Sequence, residues 1–484
     1  EYSKIQRGLI WAGTNDGKIW YTRDAGRNWI DVTKNVAGMP AWGTISKIEP
    51  SNFDPGTAYV VTDYHIMDNR DPYIYKTTDF GQTWKKISAG LPKGHPLAYA
   101  ASLAENPNRK GMLFAGTGNG FYYSLDDGGR WTQFKDGLPA APVTWVVVQK
   151  QHHDVVVSTY GLGLYILPDI TRLEQSDQVD PNAAAFLYSP RPGFRLARNG
   201  RAEFLYSLKA APSGPVKLEI LDGGGTVVRT FEAQGRAGLN RATWDLRSDA
   251  PRQVELRTTP PDNPFIWDEP RFKGRTTRPI THWGIQGAQR AGPLAAPGRY
   301  AVRMTVDGQA STRSFEVVKD PTIASPDEDL WISTRTQARI RDDMNETADM
   351  VNRIEVMRKQ IEDLLKANKG KAAVEKPLRD LDKKMMEVEL LMVSRTDLHS
   401  DDKFFVEAYK IYMNLIWLNG AVGTGAGDEA GGADHRPTNA QMAVLDLIEK
   451  DLAAAKAAFT KLMEQDLPAA NKVLPKGIGP IVAT

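Results

Sequence analysis

Thr22-Arg23-Asp24-Ala25-Gly26-Arg27-Asn28-Trp29, Thr77-Thr78-Asp79-Phe80-Gly81-Gln82-Thr83-Trp84 and Ser124-Leu125-Asp126-Asp127-Gly128-Gly129-Arg130-Trp131 are copies of one pattern, Ser/Thr-x-Asp-x-Gly-x-x-Trp. Their aspartates recur at a period of roughly 50 residues. A repeat of that length with strands on either side is the signature of a β-propeller blade.

The repeat reaches beyond this core. Apolar runs with a glycine turn, Leu9 to Gly17 and Leu113 to Gly120, precede the first and third copies. Gly90-Leu91-Pro92 and Gly137-Leu138-Pro139, with a looser Gly38-Met39-Pro40, follow the tryptophans. Proline-marked turns, Glu49-Pro50-Ser51-Asn52 and Glu105-Asn106-Pro107-Asn108, lead into the next apolar strand. Each unit reads as four short strands separated by turn residues. Within the pattern, a short carboxylate and a hydroxyl accept backbone N–H groups in a tight turn. Glycine supplies a backbone angle that other residues resist. The indole packs between sheets, where its burial is worth roughly 3 kcal/mol. Asp24, Gly26, Trp29, Asp79, Gly81, Trp84, Asp126, Gly128 and Trp131 are therefore expected to shape hairpins rather than to catalyse.

The pattern resembles the Asp-box of BNR-repeat proteins, a superfamily that includes sialidases, xyloglucanases and sortilin-like propellers. Two further stretches, Asp63 to Tyr75 and Ser158 to Ile170, are similar to bacterial sortilin-like, BNR-repeat exported proteins. The second carries Tyr160 and Leu162 where that family is expected to have His and Arg. The resemblance runs the length of the chain, but its specific motifs lie in residues 1–170. It implies export to the periplasm or cell surface of a bacterium.

Residues 1–170 account for about three blades, whereas a ring needs roughly four to eight. An open arc exposes sheet faces and unpaired edges. Glu1 stands directly ahead of a strand, without a methionine or a signal peptide. These features lead to the expectation that the chain is the C-terminal part of a longer product, with the remainder of the propeller on an upstream segment or a partner chain.

The 61 basic and 59 acidic residues are interspersed and leave a formal charge of +2, which gives no electrostatic basis for nucleic-acid binding. No apolar run approaches the roughly 18 residues of a membrane span. The absence of cysteine excludes disulfides and thiolate metal sites.

Beyond the repeats, alternating strands flank the turn Asp222-Gly223-Gly224-Gly225, a hairpin signal. Further strands are read at Gly238–Leu246, Gly298–Val306 and Ser311–Val318. They are expected to form an immunoglobulin-like sandwich of about seven strands, which resembles the FlgD type. A proline-rich insertion, 248–297, carries Phe265, Trp267, Phe272 and Trp283. These aromatics either contact a partner or fold back onto the chain's own propeller. From Ser325 the composition turns helical, with Ser325-Pro326-Asp327-Glu328 as a capping box and Ile340, Met344, Val351, Ile354, Ile361 and Leu365 on one face. Further helices are expected at 373–396, 402–419 and 438–466, with a flexible loop from Gly420 to Gly432. The expected architecture is multi-domain, mainly β then α. It comprises propeller blades (1–170), a connector (171–200), a sandwich (201–320), a four-helix bundle (321–467) and a tail (468–484).

A glycosidase needs two carboxylates flanking the scissile bond. The repeat region offers Glu1, Glu49 and Glu105 among glutamates, and Asp16, Asp63, Asp68 and Asp71 outside the boxes. Arg7, Arg70 and Arg109 show no spacing that gathers them round an anionic sugar. His152 and His153 are adjacent and would point to opposite faces of a strand. His65 with Asp63 and Asp68 forms either a mixed metal site or a hydrogen-bonded turn. No phosphate loop, dinucleotide fingerprint or HExxH motif is present, and no cofactor is expected. The sequence thus favours a non-catalytic exported protein that recognises protein or peptide, or serves as an accessory scaffold subunit. The alternative is an Asp-box glycoside hydrolase whose carboxylates lie partly on further blades.

Overall fold

The computed structural model describes residues 1–483 except Asp136, 197–199, 402–404, Thr424 and 427–428. It divides into two compact units. The first is Glu1–Pro192 with Phe204–Ala211 and Gly235–Arg241; the second is Gly193–Glu203 with Pro212–Gln234 and Ala242–Thr484.

In the first unit the chain builds four antiparallel sheets in sequence order. The first contains β1 (Ile10–Gly13), β2 (Ile19–Thr22) and β3 (Ile30–Asp31). Tyr2 pairs opposite Ile10, giving this sheet a short leading strand. The second contains β4 (Thr44–Pro50), β5 (Ala58–Asp63), β6 (Tyr73–Thr77) and β7 (Lys85–Lys86). The third contains β8 (Ala100–Glu105), β9 (Leu113–Thr117), β10 (Gly120–Ser124) and β11 (Thr132–Phe134). The fourth has only β12 (Val143–Gln149), β13 (Asp154–Thr159) and β14 (Gly163–Leu167).

Consecutive sheets pack face to face, and period-two alternation along each strand supplies both faces. On β5, Ala58 and Val60 enter the core with Trp11, Ile19 and Tyr21, whereas Tyr59 and Val61 enter the core with Leu103, Ala115 and Trp131. A third core, including Phe114, Phe121, Val146 and Val157, joins the last two sheets. Burial on both sides explains why Ala58–Val61 carries no charged residue. Counting boxes gave about three blades; the structure has four sheets. The box occupies the turn between a sheet's third and fourth strands, and the last sheet ends after its third strand, so it carries no box.

After β14 comes α1 (Thr171–Glu174), followed by β15 (Ala185–Leu187), β16 (Gly193–Arg195), β17 (Ala202–Leu208), β18 (Val216–Leu221), β19 (Val227–Ala233) and β20 (Gly238–Trp244). Leu187 of β15 lies opposite Tyr206 of β17. The turn at Asp222 closes the β18–β19 hairpin, with Asp222 N–H donating to Thr226 C=O at 2.9 Å and Gly225 at φ +85°. After α2 (Gln286–Arg290), β21 (Gly298–Val306) and β22 (Gln309–Lys319) complete a five-stranded sheet of order β16-β22-β21-β18-β19.

The helical region of the second unit consists of α3 (Asp327–Ala367), α4 (Ala372–Met392), α5 (Arg395–Leu398), α6 (Ile411–Val422), α7 (Asn439–Lys461) and α8 (Leu467–Val473). Ile340, Met344, Val351, Ile354 and Ile361 of α3 are buried as their spacing requires. α3, α4, α6 and α7 share one hydrophobic core. The expected capping box at Ser325 is absent, because Pro326 occupies the N-cap and makes no side-chain cap. A reciprocal box starts α7 instead, between Thr438 and Gln441. Of the helix expected at 402–419, 402–404 fall outside the described residues and the helix begins only at Ile411. Within 420–432, α6 extends to Val422 and a short hairpin follows, while Thr424 and 427–428 fall outside the described residues. Of the expected tail, residues 468–483 are partly helical, and Ile481 is buried in the helical core.

The insertion belongs to that same core. Val254, Leu256, Ile280 and Ile285 pack among the helices, and an extended stretch is tied to α3 through its backbone. Arg252 N–H donates to Asn345 Oδ1 and Glu255 N–H to Asn352 Oδ1, both at 2.7 Å. Thr258 gives its N–H and hydroxyl to Glu355 at 2.8 and 2.6 Å. Phe272 is buried and Trp267 lies beneath the Arg278 guanidinium, while Phe265 and Trp283 are exposed. The sequence pointed to a fold-back of this segment onto the propeller; the structure packs it on the helices of its own unit.

Candidate recognition face of the repeat region

The three boxes share one geometry. In the first, Thr22 Oγ1 donates to Asp24 Oδ1 at 2.7 Å and accepts from Gly26 N–H at 3.1 Å. Asp24 in turn accepts Asn28 N–H at 2.9 Å and its amide at 2.7 Å. Thr77, Asp79 and Thr83 repeat this, as do Ser124, Asp126 and Arg130 N–H. The residue after each aspartate (Ala25, Phe80 or Asp127) is left-handed, and its N–H donates to a glycine carbonyl of the preceding turn in the same sheet. Hydrogen bonds from the Asn28 backbone and side chain hold Asp24 down to a pKa of about 2. A carboxylate so fixed stays ionised and cannot deliver a proton at neutral pH.

The box tryptophans differ in one respect. Trp131 is 7% exposed and donates Nε1–H to Ile87 C=O of the preceding sheet at 2.7 Å. Trp84 packs edge-on to Trp11 at 6.1 Å. Trp29, in the first sheet, is 41% exposed.

The carboxylates outside the boxes are also engaged. Glu105 accepts from Ser51 Oγ, Asn52 N–H and Tyr59 OH, bridging the second and third sheets. Glu49 lies 3.5 Å from Lys47 and 3.7 Å from Lys4, and burial raises its pKa despite both lysines. Glu1 takes a 2.7 Å bond from Lys47. Thr14 donates to Asp16, and Asp68 lies 3.6 Å from Arg70. Asp63 accepts His65 N–H at 2.9 Å and lies 2.6 Å from its Nδ1, which makes this the hydrogen-bonded turn. Arg109 reaches the carbonyls of Leu173 and Glu174, whereas Arg70 reaches that of Pro96. His153 lies 2.6 Å from Glu174. Among the described residues no group of three or more His, Cys, Asp or Glu could hold a metal ion.

Each sheet is an antiparallel meander, so the turn between its second and third strands lies at the end where the chain crosses to the next sheet. The boxes lie at the opposite end. The loops at the crossing end are 14–18, 32–43, 64–72, 87–99, 118–119, 137–142 and 160–162. They touch in series. Tyr64 OH donates to Pro40 C=O, the His65 ring stacks on Tyr99 at 4.4 Å, and Gly118 N–H donates to Tyr99 C=O at 2.9 Å. Tyr160 N–H donates to Pro142 C=O at 2.9 Å. Gly118 is required, since a Cβ there would stand 2.6 Å from the Tyr99 ring. The loops expose Trp42, Ile66, Met67, Leu97, Tyr160 and Leu162, with Ile66 85% and Tyr160 77% exposed. Arg70, Asp71 and His95 line a shallow hollow beside them.

The sequence identified the stretches Asp63 to Tyr75 and Ser158 to Ile170 but not the face they form. A second feature it missed is a cleft of about 590 Å³ at the exit of the fourth sheet, lined by Phe134, Lys135, Leu167, Arg172, Leu239 and Arg241 among others.

Residues 17–162 match the family model described as Sortilin-Vps10, "Sortilin, neurotensin receptor 3". No curated protein matches the chain. Similar solved structures include one described as Ycf48 bound to D1 peptide (13% identity, 65% of this chain and 80% of that chain covered, TM-score 0.27). Others are the GH74 enzyme of Niastella koreensis (14%, 66% and 53%, TM-score 0.27) and Ycf48 from Cyanidioschyzon merolae (15%, 42% and 65%, TM-score 0.24). The chain thus spans about half the length of the Niastella enzyme. With face-to-face antiparallel sheets and three boxes in their turns, residues 17–162 are a sortilin-like propeller segment of the Asp-box kind.

Proposed function

We propose that this protein recognises polypeptide, and that the loop face opposite the Asp-boxes is its contact surface. The observation that carries this reading is the set of exposed apolar side chains at one end of four sheets, Trp42, Ile66, Met67, Leu97, Tyr160 and Leu162. Large apolar side chains clustered in exposed loops mark interaction surfaces. Nearby Arg70, Asp71 and His95 supply polar specificity at the rim. The carboxylates a hydrolase would use are held by the fold's own lysines, hydroxyls and N–H groups. An exported recognition or scaffold subunit is the setting that agrees with this surface. Exposed Phe265 and Trp283 on the second unit are proposed as further partner contacts.

The test is selection of a displayed random-peptide library on the whole chain and on the Ile66→Asp/Met67→Asp variant. Selected peptides are expected to bind the parent at least tenfold tighter than the variant. Release of reducing sugar from polysaccharide, abolished by Asp63→Asn, would instead establish the glycosidase alternative.

A further inference from the structure

Trp42 is held on the loop face against its own preference. Its backbone is left-handed at φ +66°, a region that bulky L side chains avoid. Its indole is 68% exposed, so burial does not compensate. The surrounding chain imposes this conformation. Ile45 N–H donates to Thr14 C=O at 3.0 Å, and Tyr64 OH donates to Pro40 C=O. A Cβ at Gly17 would stand 2.9 Å from the Gly43 carbonyl, and one at Gly43 would stand 2.2 Å from the Tyr64 ring. Residues 41–43 are thus clamped between the 14–18 loop and Tyr64.

Beside Trp42 lies a pocket of about 380 Å³ between the loops 14–18 and 32–43, within the range of roughly 300–1,000 Å³ found for ligand sites. Val36, Met39, Pro40 and Ala41 join Trp42 in its apolar lining. Its charged residues are Asp16, Lys18 and Lys34. Asp16 already accepts from the Thr14 hydroxyl. Asp31, the acid on which both lysines act, takes Thr33 N–H at 2.8 Å. Lys18 and Lys34 are exposed, and among the described residues neither forms an ion pair. The pocket therefore offers an apolar wall and two ammonium groups without a close counter-ion.

The second sheet has a hollow at the equivalent position, between the loops 64–72 and 87–99. That hollow stays open although the first sheet precedes it in the chain. By this equivalence, a sheet ahead of the first would leave the Trp42 pocket open as well.

We propose that this pocket is the anchor subsite of the recognition face, taking one large apolar side chain against Trp42 and pairing an adjacent carboxylate of the same polypeptide with Lys18 and Lys34. An apolar anchor in a pocket supplies affinity, and complementary charge beside it supplies selectivity. The inference rests on the polypeptide-recognition reading and names the class of segment recognised: an apolar residue next to acidic ones.

The probe is a fluorescein-labelled peptide amide, Gly-Ser-Gly-Phe-Asp-Glu-Gly-Ser, titrated by anisotropy into the whole chain. Binding is expected to be at least tenfold tighter than for the peptides with alanine in place of phenylalanine or two lysines in place of the acids. Lys18→Glu/Lys34→Glu is expected to reverse the preference between the acidic and the lysine peptide. Trp42→Gly removes the indole and the left-handed strain together. It is expected to weaken binding at least tenfold while the urea midpoint holds or rises. A midpoint that falls with binding assigns Trp42 to packing and overturns the pocket. Failure to bind at 1 mM, or binding that tolerates the loss of phenylalanine, also overturns it. Library-selected peptides that are lost with Ile66→Asp/Met67→Asp but kept with Trp42→Gly overturn the pocket and leave the loop face. A library that yields no binder overturns the recognition reading itself.

Discussion

The imidazole of His65 lies parallel to the phenol ring of Tyr99, with centroids 4.4 Å apart and planes inclined by 19°. One residue sits in the loop after β5 and the other in the crossing to β8, so the stack fixes the loop of one sheet against the next. Asp63, 2.6 Å from His65 Nδ1, orients the ring through that nitrogen. Around this junction Ile66, Met67 and Leu97 are exposed.

Tyr99→Ala removes the stack and about 1 kcal/mol of contact. A selected peptide ligand is expected to lose five- to tenfold in affinity by calorimetry, while the denaturation midpoint falls only slightly. Equal loss of affinity and of fold would assign Tyr99 to packing alone.

The box tryptophans are expected to separate by position. Trp131→Ala leaves a cavity between the second and third sheets and an unpaired Ile87 carbonyl, at about 3–5 kcal/mol in urea unfolding. Trp29→Ala removes a half-exposed ring and is expected to cost less than about 1 kcal/mol. Similar costs at the two sites would contradict the face-to-face order of the sheets.

Two carboxyls in the helical unit, Glu389 buried and Asp343 half-buried, make stability fall as pH rises. Burial, with Glu449 and Glu346 nearby, lifts Asp343 to about 7. Burial lifts Glu389 to about 8 against the pull of Arg358. Both folded values stand above the unfolded ones, so the folded state binds more protons between roughly pH 4 and 8. Their contribution is complete below pH 4 and is lost as pH passes through 7 to 8. Asp343→Asn/Glu389→Gln is expected to flatten the fall in melting temperature between pH 6 and 9, read by calorimetry. An unchanged slope would contradict the assignment.

Glu355 takes N–H and hydroxyl groups from the insertion at Thr258 while lying 3.6 Å from Arg358. Glu355→Ala leaves those donors and the arginine buried without it, and is expected to cost about 3–5 kcal/mol. Limited proteolysis is expected to cut first within 252–280; unaltered cleavage there would show that the segment is held by other means.

What the sequence revealed follows from which interactions leave a local mark. The boxes did, because hydroxyl, carboxylate, glycine and indole act within a single turn. α3 did, through apolar spacing from Ile340 to Ile361. The fourth sheet did not, since its ending removes the turn that would carry a box. The docking of the insertion on α3 was equally silent. Asn345, Asn352 and Glu355 receive backbone N–H groups from a segment about a hundred residues away, and that segment forms no regular strand whose alternation could mark it. The loop face combines side chains from several separate loops, none of which is distinctive alone.

The most direct measurement is amide exchange across residues 1–170 with and without a selected peptide. Protection concentrated in the loops 64–72, 87–99 and 160–162, and lost in Ile66→Asp/Met67→Asp, is the expected result. Protection confined to the Asp-box turns, or to the second unit, would contradict recognition by the loop face.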